Sequence, residues 1–320
     1  MDDVGNLPLL RFDYEPSGVT DVVEPGVLAV LEFGNAARAQ ADPRWLRVRL
    51  EPLAAPPVQE VWRTHAPVRC GYAGDIRWSH DGDYCFFAIE VEESSRGGIA
   101  GAAERAYREI CGFLAASGTP HLLRLWNYMD AINLGDGDSE RYRQFCSGRA
   151  RGLANRSDDS YPAATAIGRR DGVRVLQVYG LAARLAGTPI ENPRQVSAWR
   201  YPRQYGASPP AFARAMRSPA NQLLISGTAA VVGHASTHRD DLAAQLDETA
   251  TNLSSLLCSA GCTQRVGASS LLKAYVRQPQ HAAEVIAALR AMIPRVTGVL
   301  LLAGDICRTE LLVEVDGVHG

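Results

Sequence analysis

The sequence predicts an α/β (α+β) protein built from two tandem β-α-β-α-β-β units behind an N-terminal addition. Three observations predict it. Strand-like and helix-like stretches alternate from about residue 84 onward. The same order of elements runs a second time after a long interruption. Apolar residues are 46% and charged residues 21% of the 320, an ordinary globular balance that excludes disordered, collagen-like and coiled-coil chains.

The elements follow in order. Residues 1–80 are rich in Pro and Gly and broken by turns, with strand-like pieces at Val27–Phe33 and Trp45–Leu50, the latter alternating through Leu46, Val48 and Leu50. Cys85–Val91 reads as a strand. Ile99–Ala116 reads as an amphipathic helix, with Ala103, Ala106, Tyr107, Ile110 and Leu114 at helical spacing and Gly118 and Pro120 as its stop. His121–Tyr128 is a strand, Asp138 or Ser139 caps a helix over Glu140–Leu153, and after a loop Val173–Ala182 is a strand. In the second run Asn221–Val232 is a strand, Asp240–Ser259 a helix, Ser270–Arg277 a strand and Ala282–Met292 a helix. Val299–Ala303 and Glu310–Val315 are its last strands.

Local words also match. Leu122-Leu123-Arg124 lies over Leu271-Leu272-Lys273, and Val175-Leu176-Gln177-Val178 over the stretch with Val313-Glu314-Val315. Alternation alone is common to all α/β proteins. Agreement of order, length and words is what favours a duplication. The chain then divides into residues 1–186, containing the first unit, a connector over 187–219, and a second unit over 220–320. The connector, rich in Arg and Pro, far exceeds an ordinary loop of ~4–6 residues, and long structured loops usually carry function.

Composition narrows the partners. A formal net charge of −2 argues against nucleic acid or an anionic membrane surface. Lys273 is the sole lysine, and the other basic residues are arginines, whose forks suit carboxylates. The start, MDDVGN, has neither a basic nor an apolar stretch, which predicts no signal peptide. The apolar run Val299–Ala303 is far short of the ~20 residues that span a bilayer. Seven cysteines, an odd count without a CxxC pair, suit free thiols in a reducing cytoplasm.

Glu314 is the first candidate for chemistry. It sits among Leu311, Leu312, Val313 and Val315, and strand alternation puts it on one face with Leu312 and Glu310. A carboxyl among apolar neighbours keeps its proton toward neutral pH and can act as an acid. The other reading is a strand-edge glutamate in water. Its counterpart Gln177 cannot titrate, which assigns any acid site to the second unit.

Tyr142 and Arg149 are seven apart, so two helical turns put them on one face with Phe145 and Cys146. In the connector Tyr201 and Arg214 flank a Pro-rich turn, with Arg200, Arg203 and Tyr205 nearby. Fixed guanidiniums and phenols would suit a dicarboxylate. Taken one by one, most of these arginines also read as solvated surface. SGTAAVVGH, Ser226–His234, places glycines beside a strand end, as a close-approach site or as a β-bulge at Gly227. His234-x3-His238 has metal-ligand spacing on a helix but lacks a third ligand, so no metal is expected. Cys307 and Glu314 are seven apart and face opposite ways on a straight strand. They meet if Cys307 lies in a turn before the strand or if a bulge intervenes. Otherwise Cys307 is a buried inert thiol.

ERYRQFCSGRA, YPAATAIG, ENPRQVSAWRYPRQYG, FARAM, SGTAAVVGH, KAYVR and GDICRTELLVEVDG together resemble the chorismatase family of chorismate hydrolases and 3-hydroxybenzoate synthases. The resemblance runs from about residue 25 to the C-terminus and is greatest to the bifunctional branch that forms 3- and 4-hydroxybenzoate. It implies a fold similar to that of RidA/YjgF proteins, which place sites between units. It implies that Glu314 is the acid that protonates the enolpyruvyl methylene. It implies that Cys307 is the cysteine of the 3-hydroxybenzoate-forming members, and that Tyr142, Arg149, Tyr201 and Arg214 contact substrate. Chorismate is then the small-molecule partner, with no cofactor, no metal, no nucleic acid and no membrane. The expected setting is cytoplasmic, as a monomer or small homo-oligomer. A hydrolase giving a dihydroxycyclohexadienoate and a non-catalytic RidA-like ligand-binding protein are the competing readings. An imine deaminase would fit the fold but not the connector.

Overall fold

The structure, a computed structural model, describes residues 7–20, 24–34, 40–54, 58–153, 161–262, 270–292 and 298–320. The start that bears on a signal peptide, residues 1–6, lies outside the described residues. No helix among the described residues is long and apolar enough to cross a membrane.

Four strands come first: β1 (Arg11–Pro16), β2 (Val27–Phe33), β3 (Trp45–Val48) and β4 (Val58–Arg63). The first full unit is β5 (Arg69–Ala73), β6 (Ile76–His80), β7 (Tyr84–Glu92), α1 (Gly98–Ala115), β8 (His121–Asp130), α2 (Arg141–Gly152), β9 (Ala163–Arg169) and β10 (Val175–Ala183). The second begins with β11 (Thr188–Ile190), β12 (Ala215–Arg217) and β13 (Leu223–Thr228), followed by the small hairpin β14 (Val231–Val232) and β15 (Ala235–Ser236). It continues with α3 (Leu242–Ser259), β16 (Ser270–Val276), α4 (Ala282–Met292), β17 (Gly298–Ala303), β18 (Asp305–Ile306) and β19 (Val313–His319).

The duplication is visible in the sheets. One has strand order β5-β6-β7-β10-β8-β9, extended at its edge by β18, and the other β11-β12-β13-β19-β16-β17. The pairing senses agree as well. β8 and β9 run parallel, as do β16 and β17, while β10 and β19 are antiparallel to both neighbours. Parallel neighbours need a crossover, and α2 and α4 supply it.

The N-terminal addition has the same plan. Its order β1-β4-β2-β3 repeats β7-β10-β8-β9, with β2 and β3 parallel and β4 antiparallel to both its neighbours. It is an abbreviated third copy whose crossovers carry no helix among the described residues. Only two of its strands are legible in sequence, because without helices it shows no change of periodicity.

The helices α1 and α2 cover one face of the first sheet, and α3 and α4 one face of the second. The opposite faces and the N-terminal sheet share one central core. Trp62 from β4 is the wedge, with ring centres 5.6 Å from Trp126 and 5.6 Å from Phe86. Trp126 stacks on Tyr179 at 5.0 Å. The sole lysine is buried here, with Lys273 Nζ 2.8 Å from Glu60 and 4.4 Å from the Trp126 ring centre.

Several boundaries differ from the sequence reading. Ala163–Arg169 forms β9 where a loop was expected. Alanines, Thr165 and Gly168 give it little hydrophobic pattern, and at Gly168 space is short: a Cβ there would lie 2.4 Å from Ile132. The final strand starts at Val313, so Glu310 sits in the preceding turn rather than on a shared face with Glu314. The expected strand Asn221–Val232 breaks after Thr228 into β13 and β14. The expected connector supplies β11 and β12 to the second sheet. Register pairs Gln177 with Tyr128 and Glu314 with Tyr275. With Gln177 and Glu314 equivalent, Lys273 answers to Trp126, two residues beyond the Arg124 that word matching selects.

Candidate active site

β19 carries Glu314 on the central face of the second sheet, 6% exposed. Opposite it, β13 has a register shift between Ile225 and Thr228, and Gly227 lies in that bulge. The Glu314 carboxyl fills the space, since a Cβ on Gly227 would be 1.9 Å from Oε1. Among the described residues no donor reaches this carboxyl. Burial first, and then the negative charge of Asp316, push its pKa up to about 8, against the pull of Arg124, Arg214 and Arg308. At neutral pH Glu314 is a neutral carboxylic acid.

Cys307 lies in the turn that links β18 to β19. That turn removes the parity problem. β18 pairs with the edge of the first sheet, Asp305 opposite Gly168 and Ile306 opposite Ile167, and so carries the turn across to the other unit. Burial, and secondarily Glu314, push the Cys307 thiol up to about 12, so it is protonated at neutral pH.

α2 brings Tyr142 and Arg149 from the first unit. It packs closely on α1 because Gly148 has no side chain; a Cβ there would lie 2.0 Å from the Ala100 carbonyl oxygen. That approach sinks Arg149 to 2% exposure with its guanidinium 5.1 Å from the Phe145 ring centre. Its Nε and one Nη are buried without a hydrogen-bond partner. A buried guanidinium fork with free donors suits an anion. Burial holds the Tyr142 phenol well above its usual range.

The third wall is the connector. Arg214 donates to the Tyr201 hydroxyl and the Val196 carbonyl, each at 2.7 Å. Arg308 lies 5.2 Å from the Tyr201 ring centre and 4.1 Å from that of Tyr205, and donates to the His234 carbonyl at 2.9 Å.

All six residues singled out from sequence, Glu314, Cys307, Tyr142, Arg149, Tyr201 and Arg214, line one cavity of about 190 Å³ between the two full units. Sequence reasoning gave no site role to Thr165, Phe212, Arg308 and Glu310, which line it too. Thr165 stands inside the quoted word YPAATAIG, and Arg308 directly follows Cys307. His234 and His238 do not meet. The Tyr205 hydroxyl lies 3.3 Å from His234 Nδ1, and His238 Nε2 lies 3.1 Å from Glu248. Among the described residues there is no cluster of three metal-ligating side chains.

Fold and cavity together define a protein of repeated α/β units whose inter-unit cleft opposes a neutral acid to arginines, a layout suited to an anionic ligand. Residues 60–182 match the family model described as chorismatase FkbO/Hyg5-like, N-terminal. A 3-hydroxybenzoate synthase of Streptomyces hygroscopicus is 35% identical over 291 residues, 85% of this chain and 84% of that protein. A chorismatase of Streptomyces rapamycinicus is 35% identical over 280 residues, 81% of each. A crystal structure of chorismatase, 31% identical, superposes with a TM-score of 0.86 over 98% of both chains. The chain belongs to the chorismatase family.

Proposed function

We propose that the chain converts chorismate to pyruvate and 3-hydroxybenzoate, with 4-hydroxybenzoate as a second aromatic product. The observation that carries this reading is the buried, protonated Glu314 facing the Arg149 and Arg214 side of one cavity. The names of the relatives, chorismatase and 3-hydroxybenzoate synthase, support it.

Chorismate carries two carboxylates, and two guanidiniums on different walls suit them. Arg149 has free donors, and Arg214 is braced by Tyr201. Holding both ends fixes the enolpyruvyl methylene relative to Glu314, and such positioning lowers the barrier to reaction. Glu314 gives its proton to the methylene carbon, which becomes a methyl group. The product is an oxocarbenium ion, and the new Glu314 carboxylate stabilises it. The ring hydroxyl then attacks the neighbouring ring carbon as its bond to the pyruvyl oxygen breaks. Pyruvate leaves, the hydroxyl proton restores Glu314, and an arene oxide remains. Opening one C–O bond of the oxide with loss and gain of a proton gives 3-hydroxybenzoate, and opening the other gives 4-hydroxybenzoate. The atoms of chorismate divide between the two products with nothing added, so the reaction calls for no cofactor and no water.

The neutral Cys307 thiol is a weak donor positioned to bias the opening of the oxide. In a hydrolase, water would enter and a dihydroxycyclohexadienoate would form. The presence of Cys307 in the cavity favours the aromatic product, as the resemblance implies. Seven unpaired cysteines agree with a cytoplasmic setting.

The test is incubation of the purified chain with chorismate and no added cofactor, followed by enzymatic assay of pyruvate and chromatography of aromatic acids. Equal amounts of pyruvate and hydroxybenzoate are expected. Pyruvate with a dihydrodiol would favour the hydrolase, and chorismate left intact would refute the reading.

A further inference from the structure

Two residues beyond Glu314 on β19, and therefore on the same face of the strand, is a second carboxyl. Asp316 is fully buried. Its Oδ2 accepts from four donors: Arg124 Nη2 at 3.1 Å, Trp126 Nε1 at 2.9 Å, Thr165 Oγ1 at 2.8 Å and the Tyr275 hydroxyl at 2.9 Å. These come from β8, β9 and β16. Its Oδ1 is buried without any partner. Four donors, one of them a guanidinium, converge on one oxygen, a set that suits a carboxylate. Side chains from three strands hold its position, shielded from bulk solvent.

We propose that Asp316 is a positioning residue of the reaction, a fixed negative charge that sets the proton occupancy of the Glu314 carboxyl. The inference rests on the acid role proposed above for Glu314. The groups facing Glu314 divide by sign. Arg124 from β8, Arg214 ahead of β12 and Arg308 from the turn before β19 favour its carboxylate form. Arg149 and Tyr142 from α2, Cys307 from the same turn and Tyr275 from β16 complete the surroundings, with Glu140 and Glu310 at the cavity wall. Three guanidiniums near a carboxyl would normally strip its proton. Burial of Glu314 opposes them, and Asp316, on the same face of the strand, is the charge that does so. Thr165 touches both places, since it lines the cavity and donates to Asp316.

The experiment is a titration of the full chain carrying carboxyl-13C glutamate, followed by NMR. Glu314→Gln identifies the resonance. In Asp316→Asn the Glu314 midpoint is expected to fall by about one pH unit or more. The basic limb of pyruvate release from chorismate should move acidward with it. Asp316→Asn leaves Arg124 without a countercharge and can impair folding. The pair Asp316→Asn with Arg124→Gln removes both charges, and there a smaller acidward move is expected. A purely structural Asp316 would lower thermal stability and leave the midpoint in place. A midpoint unchanged or moved upward in either folded variant overturns the proposal. If the resonance moves as expected while the wild-type chain releases no pyruvate, the acid role fails and the influence of Asp316 on Glu314 stands.

Discussion

Gly227 and Glu314 occupy one space between them: where a methyl group on the glycine would sit, 1.9 Å away, is Oε1 of the carboxyl. The contact joins the bulge of β13 to the neighbouring strand β19. The backbone at Gly227 does not have the positive φ that excludes other residues. The three atoms that a methyl group there would meet first, Oε1, Cδ and Cγ of Glu314, all belong to the flexible end of one side chain.

Gly227→Ala should therefore leave the fold intact and displace the acid. Pyruvate release is expected to fall by about two orders of magnitude, because even a 1 Å misplacement can cost that much. Circular dichroism and melting temperature should stay close to wild type.

Glu314→Gln should abolish pyruvate release and keep chorismate binding, measurable by calorimetry. In the wild type, turnover should decline as pH passes about 8, where Glu314 loses its proton. Stability gives an independent check of the same group. Folding raises the pKa of Glu314 from its ordinary 4.5 to about 8. Its contribution is complete below about pH 4.5 and is lost as pH rises to about 8. The urea midpoint of Glu314→Gln should thus gain on that of wild type across this window.

Arg149→Lys keeps a charge and loses the fork. The two free donors of the buried guanidinium become one point cation. A charged hydrogen bond is worth about 1.5–3 kcal/mol, so KM for chorismate should rise by roughly 10- to 100-fold. The pH profile should not move, because Arg149 does not titrate near neutrality.

Cys307→Ala should alter the ratio of hydroxybenzoate products while pyruvate release persists, read by chromatography against chorismate consumed. With its thiol pushed up to about 12, native Cys307 should resist iodoacetamide at pH 8. The exposed Cys258 should be alkylated first, as peptide mass spectrometry would show.

The periodic parts of this chain are legible in sequence, and the parts made by crowding are not. The four helices and the strands that carry Trp126, Gln177 and Glu314 stand out because bulky side chains recur at regular intervals. Tyr142 and Arg149 are legible as a pair because helix geometry forces them together. β9 is hidden because its alanines and Gly168, where close neighbours exclude a side chain, leave no bulky residues at regular intervals. Thr165 is hidden with it. Asp316 gives no local signal either: its four donors come from three other strands, and only the packed sheets bring them to one oxygen.

A ring of three identical subunits must repeat every side chain three times, so a charge placed at one junction appears at all of them. Here a single chain carries three sheets of like strand order on one central core: the abbreviated copy with its Trp62 wedge, and the two full copies. The obligation to repeat is gone. Gln177 occupies the station of Glu314, and Trp126 that of Lys273, so each junction can drift by itself. A buried carboxyl can then stand at one boundary alone, and a substitution there is felt once per molecule instead of three times.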